Sequence, residues 1–293
     1  MKQVKCLYCG KSNYVKIGFR TTENRGKIQR YKCKDCGRKF TNDEGFYRMR
    51  NSESKITSAI DLYFSNLSSR KVRNYFRRHL EENASHVTVL DWCRKYVLKV
   101  SKFIDILNPE LSGQLYADET EIPRGCNTKR KGGDKFWCSV DWGTRYINAT
   151  MYSPNPQNLN EAIEFLEKVK KSKDKPKYIQ TDSAGFYPRA MRKVFNVHDY
   201  HPERTQHKII NVNKDKKYNV RIETVFSKVK DRVDDFRGLK ALWSAPILMQ
   251  GIILQHNFIE AHTTTGQIPA ELAGIKLDVE KNRWLGLIKL ASK

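Results

Sequence analysis

Two pairs of cysteines near the start of the chain restrict the fold of the first forty residues more than any other feature. The ligand candidates are Cys6, Cys9, Cys33 and Cys36. Gly10 and Gly37 follow the second cysteine of each pair, where a tight turn favours a residue without a side chain. Four thiolates in two Cys-x-x-Cys pairs predict a tetrahedral, structural Zn²⁺ site in a zinc ribbon over residues 1–45. Redox chemistry at either pair is the competing interpretation.

The charge of the chain predicts its class of partner. There are 55 Lys and Arg residues against 32 Asp and Glu, a formal net charge of +23 in 293 residues. Such an excess predicts a polyanion, bound with a strong dependence on salt. We expect double-stranded DNA, and a ribosomal or chromatin-like packaging protein is the alternative. No run of about 18 apolar residues occurs, and the N-terminus lacks the apolar part of a signal peptide. A soluble, cytoplasmic protein without a membrane partner is therefore expected.

Helical periodicity appears over residues 50–108. Ser68 and Ser85 precede apolar positions at spacings of three and four, so each is a candidate helix N-cap. Helices joined by a short turn in a basic protein indicate an all-α helix-turn-helix module. Its candidate DNA-binding residues are Arg70, Lys71, His86, Thr88, Arg94 and Lys95. A bundle that only packs or dimerises is the alternative.

Three acidic residues after this module occupy positions suited to metal binding. Asp118 lies in the strand-like run 114–118, Asp182 closes the strand-like run 177–182, and Glu223 opens a helical pattern. Carboxylates from two strands and one helix can converge on two Mg²⁺ ions, which suit hard oxygen ligands. Mn²⁺ is the alternative metal. The order strand, hairpin, helix, strand, helix predicts an α/β fold with a mixed sheet, in residues 112–265.

Other residues near these acids have competing interpretations. Lys230 lies seven residues after Glu223, on the same helical face, where it could bind a phosphate. Asp141 is the chief competing acid, but its turn sequence, with Gly143 expected to supply the turn, accounts for it. Glu119 and Glu121 would lie on the opposite strand face from Asp118. Glu203 could replace Glu223 but has no helical platform.

Several stretches of the chain resemble the DDE transposases of prokaryotic insertion sequences. The similar stretches are 116–120 (Tyr-Ala-Asp-Glu-Thr), 179–183 (Ile-Gln-Thr-Asp-Ser), 219–223 (Asn-Val-Arg-Ile-Glu), 226–232, 255–262 and 269–275. The order of ribbon, helix-turn-helix and acidic domain is also similar, and it covers nearly the whole chain. Forty residues lie between Asp182 and Glu223. This is more than in close relatives, which implies an insertion between His198 and Lys217.

The resemblance implies a fold and an activity. The fold would be a ribonuclease H-like mixed sheet flanked by helices, followed by a C-terminal tail over residues 266–293. Asp118, Asp182 and Glu223 would hold the catalytic ions, and Lys230 would correspond to the family's basic residue after the Glu. The enzyme would bind terminal inverted repeats, cleave DNA with metal, and transfer the freed 3′ end to target DNA. Two ends held at once imply a homodimer or larger homo-oligomer, working at the nucleoid.

Two other functions fit the same residues. A DNA-binding regulator would keep the ribbon and the helices and use an inactive α/β domain for dimerisation. A structure-specific nuclease of the same fold would cut DNA without joining ends. Strand-transfer products separate the nuclease from the transposase, and metal-dependent cleavage separates both from the regulator.

Overall fold

The structure is a computed structural model that describes most of the chain. The described residues are 4–23, 26–42, 44–80, 84–124, 133–171, 175–195, 204–211, 219–236 and 239–292. Among them, no helix combines the length and the apolar character that crossing a membrane requires.

The N-terminal segment forms a small antiparallel sheet. Its strands are β1 (Tyr14–Thr22), β2 (Gly26–Cys33) and β3 (Lys39–Thr41), with β2 in the centre. Beneath them lies a very small core in which the rings of Tyr14 and Tyr31 pack against Phe40. So little buried apolar surface cannot hold a sheet of this size without another constraint.

Serine side chains begin the helices of the second segment. These helices are α1 (Glu53–Phe64), α2 (Ser69–His79) and α3 (His86–Ile104). Ser68 accepts a hydrogen bond from the backbone N–H of Lys71 at 3.3 Å, and Ser85 accepts one from that of Thr88 at 3.0 Å. Both predicted N-caps are therefore present, and each satisfies a backbone donor that the first helical turn leaves unpaired.

A mixed sheet forms the centre of the third segment. Its strands are β4 (Gln114–Ile122), β5 (Asp134–Asp141), β6 (Ile147–Ser153), β7 (Tyr178–Thr181) and β8 (Gln206–Ile209). Across the described residues the order is β6-β5-β4-β7-β8; β5 is antiparallel to both of its neighbours, while β4, β7 and β8 are parallel. The mixed sheet agrees with the α/β fold predicted from the sequence.

Helices cover both faces of this sheet. They are α4 (Leu159–Lys170), α5 (Tyr187–Phe195), α6 (Val220–Asp235), α7 (Ala245–Leu254), α8 (Pro269–Leu272) and α9 (Arg283–Leu290), with a π-helix (Gln255–Ile259) that continues α7. Helices α4 and α5 pack on the face that carries Leu115 and Ala117. Helix α6 packs on β4 and β5 at the other face, which carries Tyr116. Strand alternation therefore assigns Asp118 to the face under α6.

The turn between β5 and β6 differs from its prediction. The positive φ of 63° belongs to Arg145, not to Gly143. Gly143 is required by space, since a Cβ at that position would lie 2.9 Å from the Cβ of Ser112. Sequence alone does not reveal this, because Ser112 is distant along the chain.

The helices of residues 50–108 and the C-terminal segment share one hydrophobic core with the sheet. Helix α9 packs against α1 and α3, and Trp284 is fully buried there. Gln255 of the π-helix donates to Asp61 at 2.9 Å and to Ser65 at 3.1 Å, and it accepts from Trp284 at 2.8 Å. The predicted segments 50–108, 112–265 and 266–293 are thus joined by buried contacts.

Candidate active site and metal centres

The strand register brings the first two predicted acids together. Strands β4 and β7 pair in parallel, with Tyr116 opposite Gln180. Asp118 lies two residues after Tyr116 in β4, and Asp182 is the first residue after β7, two residues after Gln180. The parallel register therefore directs both acids to the same end of the paired strands. Asp118 accepts a hydrogen bond from the N–H of Glu119 at 2.8 Å, and Asp182 accepts one from that of Ala184 at 3.0 Å. Each carboxylate is therefore held by a backbone N–H group of a residue that closely follows it in the chain.

Helix α6 supplies the third acid. Its core side consists of Ile222, Val225, Phe226, Val229 and Val233. Glu223 lies roughly 100° from Ile222 around the helix, and it is exposed at one flank of the core side. The hydrophobic face of α6 packs onto β4 and thereby carries Glu223 towards Asp118.

The pKa of Asp118 is affected by the other acids. Its pKa is raised to about 8; burial is the largest cause, and the negative charge of Glu119 is the next. The charges of Asp182 and Glu223 raise it further. A carboxyl that is buried among other carboxylates favours its neutral form unless a cation compensates it. The donor set, three carboxylates that repel one another, is what a hard divalent cation requires.

The three acids are less closely gathered than the four cysteines. Among the described residues, the four ribbon cysteines are the only group of three or more His, Cys, Asp or Glu whose ligand atoms all lie within 4.8 Å of one another. The three carboxylates are thus more widely separated. Two ions about 3.5–4 Å apart, each bound at about 2.0–2.1 Å, can bridge such a spread.

Lys230 lies on the same flank of α6 as Glu223. Seven residues correspond to about 10 Å along the helix and nearly two full turns. Lys230 is exposed, and its charge helps to lower the pKa of Glu121, after the larger effect of Lys135, whose Nζ lies 2.6 Å from that carboxylate. Lys230 therefore extends the site towards the C-terminal end of β4.

Glu119 forms a contact that the sequence did not predict. On the sheet face opposite to Asp118, it accepts a hydrogen bond of 2.5 Å from the hydroxyl of Tyr187, a fully buried residue at the start of α5. Burial raises the pKa of Glu119 to about 7; donation from Tyr187 lowers it and the charge of Asp182 raises it. The bond ties the strand residue after Asp118 to the segment after Asp182.

The competing acids have other partners or lie outside the described residues. Asp141 is fully buried and accepts hydrogen bonds from the backbone and side chain of Ser112 and of Thr144, between 2.7 and 3.0 Å. It thus fixes a turn, as predicted. Glu203 lies outside the described residues, together with His198 and His201. His207 belongs to β8 and hydrogen-bonds to Thr181 at 2.9 Å.

The four N-terminal cysteines fit a zinc site. The Sγ atoms of Cys6 and Cys36 are 3.6 Å apart, and those of Cys9 and Cys33 are 3.5 Å apart. Tetrahedral bonding to Zn²⁺ at about 2.3 Å places sulfur atoms about 3.8 Å apart. In each turn a glycine with positive φ donates its N–H to the carbonyl of the first cysteine, Gly10 at 2.9 Å and Gly37 at 3.0 Å.

The predicted DNA-binding residues of the helices fall into two groups. Arg70 and Lys71 are exposed at the start of α2, whereas His86 and Thr88 are half-buried in the first turn of α3. Arg94 and Lys95 have partners within the protein, which are described next. The two groups lie on different helices.

Arg94 and Lys95 bind other segments of the chain. Arg94 donates to the hydroxyl of Ser244 at 2.9 Å and stacks on the ring of Trp243 at 4.6 Å. The Nζ of Lys95 lies 3.1 Å from the sulfur of Met49. The more basic exposed surface belongs to α2, which also presents Arg77 and Arg78. Neither of these two residues was among the predicted DNA-binding residues.

One family model matches part of the acidic domain. Residues 130–262 match the profile of a DDE domain family of transposases. The match includes Asp182 and Glu223 and begins after Asp118. A search of curated protein sequences finds no match.

Two solved viral structures are each similar to 57% of the chain. One is a cryoEM structure of a simian T-cell lymphotropic virus intasome in complex with PP2A regulatory subunit B56 gamma. It has 13% identity and a TM-score of 0.41 over 57% of this chain and 55% of that chain. Another is the HTLV-2 integrase catalytic core domain in complex with magnesium, in a dimeric form. It has 14% identity and a TM-score of 0.35 over 57% of this chain and 97% of that chain. The alignment spans about half the length of the intasome chain.

Proposed function

We propose that this chain, which carries a transposase DDE domain, is a DNA transposase that binds terminal inverted repeats and catalyses metal-dependent cleavage and strand transfer. The proposal is supported by the parallel pairing of β4 with β7, which directs Asp118 and Asp182 to the same end of the two strands. It is also supported by the raised pKa of Asp118, to which burial and the charges of Glu119, Asp182 and Glu223 contribute. Three acids that are distant in sequence, one in a strand, one directly after a strand and one in a helix, would meet at this end. If the three acids served only to stabilise the fold, cationic side chains of the protein would have to neutralise their charges.

Asp118, Asp182 and Glu223 would hold two Mg²⁺ or Mn²⁺ ions. When bound, such ions lower the pKa of water and stabilise charge on the attacking and leaving oxygens of a phosphodiester. The protein would contribute position: the pairing of β4 with β7 would bring Asp118 near Asp182, and α6 would bring in Glu223. Lys230, on the same flank of α6, is suited to bind a DNA phosphate near the carboxylates. Direct displacement at phosphorus needs no covalent bond between DNA and protein.

DNA is the substrate that the charge of the protein supports best, at +23 overall. We assign the ends of the element and the target to the catalytic face, and the helices and the ribbon to contacts outside it. Holding two ends together requires at least a homodimer. Such a protein acts on DNA in the cytoplasm, at the nucleoid.

The experiment that tests the function is cleavage and joining of labelled DNA that carries the inverted repeats flanking the gene. Asp182→Asn and Glu223→Gln remove a metal ligand each and keep the side-chain size. Asp231→Asn is the matched control, because Asp231 is exposed on α6, away from its core side. Wild type and control should nick the ends and join them with Mg²⁺ or Mn²⁺. The ligand variants should lose more than the roughly 100-fold that even an outer-shell change costs.

Each alternative function has its own result in this experiment. Cleavage without joined products makes the protein a nuclease of the same fold. Tight binding of the repeats without any cleavage makes it a regulator. Undiminished cleavage by both ligand variants shows that the three acids are wrongly assigned.

A further inference from the structure

A cluster of cations surrounds an exposed tryptophan at the N-terminal end of α6. We define the Trp142 patch as Trp142, Arg145, Arg221, Lys228 and His262. The guanidinium carbon of Arg221 lies 4.1 Å from the centre of the Trp142 ring, and that of Arg145 lies 5.3 Å from it. Trp142 nevertheless remains 39% exposed. The three central residues of the patch lie in two segments far apart in sequence.

Trp142 is held rigidly in place. The N–H of Trp142 donates to the carbonyl of Gln114 at 2.8 Å, and the preceding Asp141 is fixed by four hydrogen bonds. The ring stacks on that of Tyr116, with centroids 5.2 Å apart and an angle of 28° between the planes. Arg145, with its positive φ, donates from its guanidinium to the carbonyl of Trp142. Contacts within the protein therefore fix the position of the Trp142 ring.

The arginines of the patch lack anionic partners within the described part of the chain. Neither Arg145 nor Arg221 forms a salt bridge there. Burial lowers the pKa of Arg145, the charge of Arg221 lowers it further, and the charge of Asp141 raises it. Both oxygens of the Asp141 carboxylate already accept hydrogen bonds, from Ser112 and Thr144. Lys228 and His262 lie near these arginines. Burial is the largest cause that lowers the pKa of His262, and the charges of Lys228, Arg145 and Arg221 lower it further. Such repulsion favours binding of an anion.

The patch and the three acids lie on opposite flanks of the first turns of α6. Arg221 and Glu223 are two residues apart, which turns their side chains roughly 200° from each other around the helix. Under the helix, Tyr116, on which Trp142 stacks, and Asp118 lie on the same face of β4, two residues or about 6.6 Å apart. A DNA strand that crosses the start of α6 would therefore touch both groups.

We propose that the Trp142 patch binds a backbone phosphate of duplex DNA, one to three nucleotides from the phosphodiester held at the carboxylates. The distance to that phosphodiester rests on the proposed function; the binding of DNA phosphate by the patch does not. Two guanidiniums with fixed planes match the oxygens of a phosphate by paired hydrogen bonds, and stacking on Trp142 keeps them oriented. The alternative is that the stack of the arginines on Trp142 binds no ligand and only stabilises the structure.

The salt dependence of DNA binding tests the patch without any cleavage. Full-length, zinc-loaded protein binds a fluorescent 30-base-pair duplex of arbitrary sequence in EDTA-free buffer with Ca²⁺, over a series of salt concentrations. The variants are Arg221→Gln and Trp142→Leu, and the control is Arg192→Gln, an exposed arginine of α5 on the opposite face of the sheet. Removing one protein–phosphate interaction reduces the slope of log affinity against log salt by about 0.9. The slope of both patch variants should decrease by about this amount, and the control should keep the wild-type slope.

Two results would overturn the proposal. The first is a slope unchanged in both patch variants while their melting temperatures match that of wild type, which assigns the stack a structural role only. The second is an equal decrease in the control, which assigns the effect to net charge. Loss of folding in Trp142→Leu leaves the decision to Arg221→Gln, whose side chain is on a helix surface. Because binding alone is measured, absence of transposition would not affect these outcomes.

Discussion

At the scale of single residues, we expect the hydrogen bond between Tyr187 and Glu119 to help position the neighbouring Asp118. Tyr187→Phe removes the donor and leaves a half-buried carboxylate without its partner, so the strand beside Asp118 loses its tie to the segment after Asp182. We expect single-turnover cleavage to slow roughly 10-fold or more, as for the loss of a hydrogen bond to a charged group. Glu119→Gln keeps an oxygen acceptor for Tyr187 and should cleave at nearly the wild-type rate. Equal losses in both variants would contradict this positioning role.

His256 makes the stability of the protein sensitive to acid. Burial is the main cause that lowers its pKa to about 4, and its Nε2 lies 2.9 Å from the carbonyl of Arg145. The unfolded chain takes up this proton near pH 6.5 and the folded chain only near pH 4, so the stabilisation is complete above pH 6.5 and is lost as the pH falls towards 4. The loss amounts to at most about 3 kcal/mol.

Calorimetry between pH 4 and 7 checks this effect. His256→Gln keeps a side-chain donor for the carbonyl of Arg145 and cannot take up a proton. Its melting temperature should fall less with decreasing pH than that of the wild type. Parallel curves for the two proteins would mean that His256 does not titrate between the folded and unfolded states.

At the scale of elements, local signals in the sequence predicted the helices and strands well. Serine caps, apolar periodicity and strand alternation are properties of neighbouring residues, and they placed α2, α3 and β4. The basic surface was harder to predict. A charged residue on a helix is free or paired according to segments that are distant in sequence, and Arg94 pairs with Ser244 for that reason. The π-helix and the approach of Gly143 to Ser112 are likewise products of packing.

Helix α2 should contribute more to DNA binding than α3. Arg77→Gln combined with Arg78→Gln removes two exposed cations from the end of α2, whereas Lys95→Gln removes one that already contacts Met49. The double variant should lower the salt slope of DNA binding by about 1.8, at about 0.9 per phosphate interaction. Lys95→Gln should lower it little. A larger decrease of the salt slope in Lys95→Gln than in the double variant would indicate that α3 contributes more to DNA binding than α2.

At the scale of the whole molecule, the ribbon should depend on metal and the rest of the chain should not. The ribbon core contains few apolar side chains, whereas the sheet and helices bury many. Removing zinc with a chelator should therefore unfold residues 4–41 and leave the mixed sheet folded. Hydrogen exchange by mass spectrometry checks this, with Cys33→Ser as a variant that mimics metal loss. Rapid exchange throughout the sheet would show that the ribbon supports the entire fold.

The shared core was the feature least accessible from the sequence. Phe64 of α1 stacks on Trp284 of α9 at 5.9 Å, and Tyr63 stacks on Phe236 at 4.8 Å. Each of these residues fits the apolar face of its own element, and nothing local specifies its partner. The order of segments could be predicted from local patterns, but their joining could not.

Because α2 and the sheet are bound to one core, the separation between α2 and the three carboxylates is a fixed length of the protein. If the protein acts as proposed, the number of base pairs between the DNA that α2 contacts and the bond that is cut is set by the fold, not by a linker. An element whose terminal repeat gains or loses a few base pairs between those two points would then be unable to transpose, even with an intact enzyme.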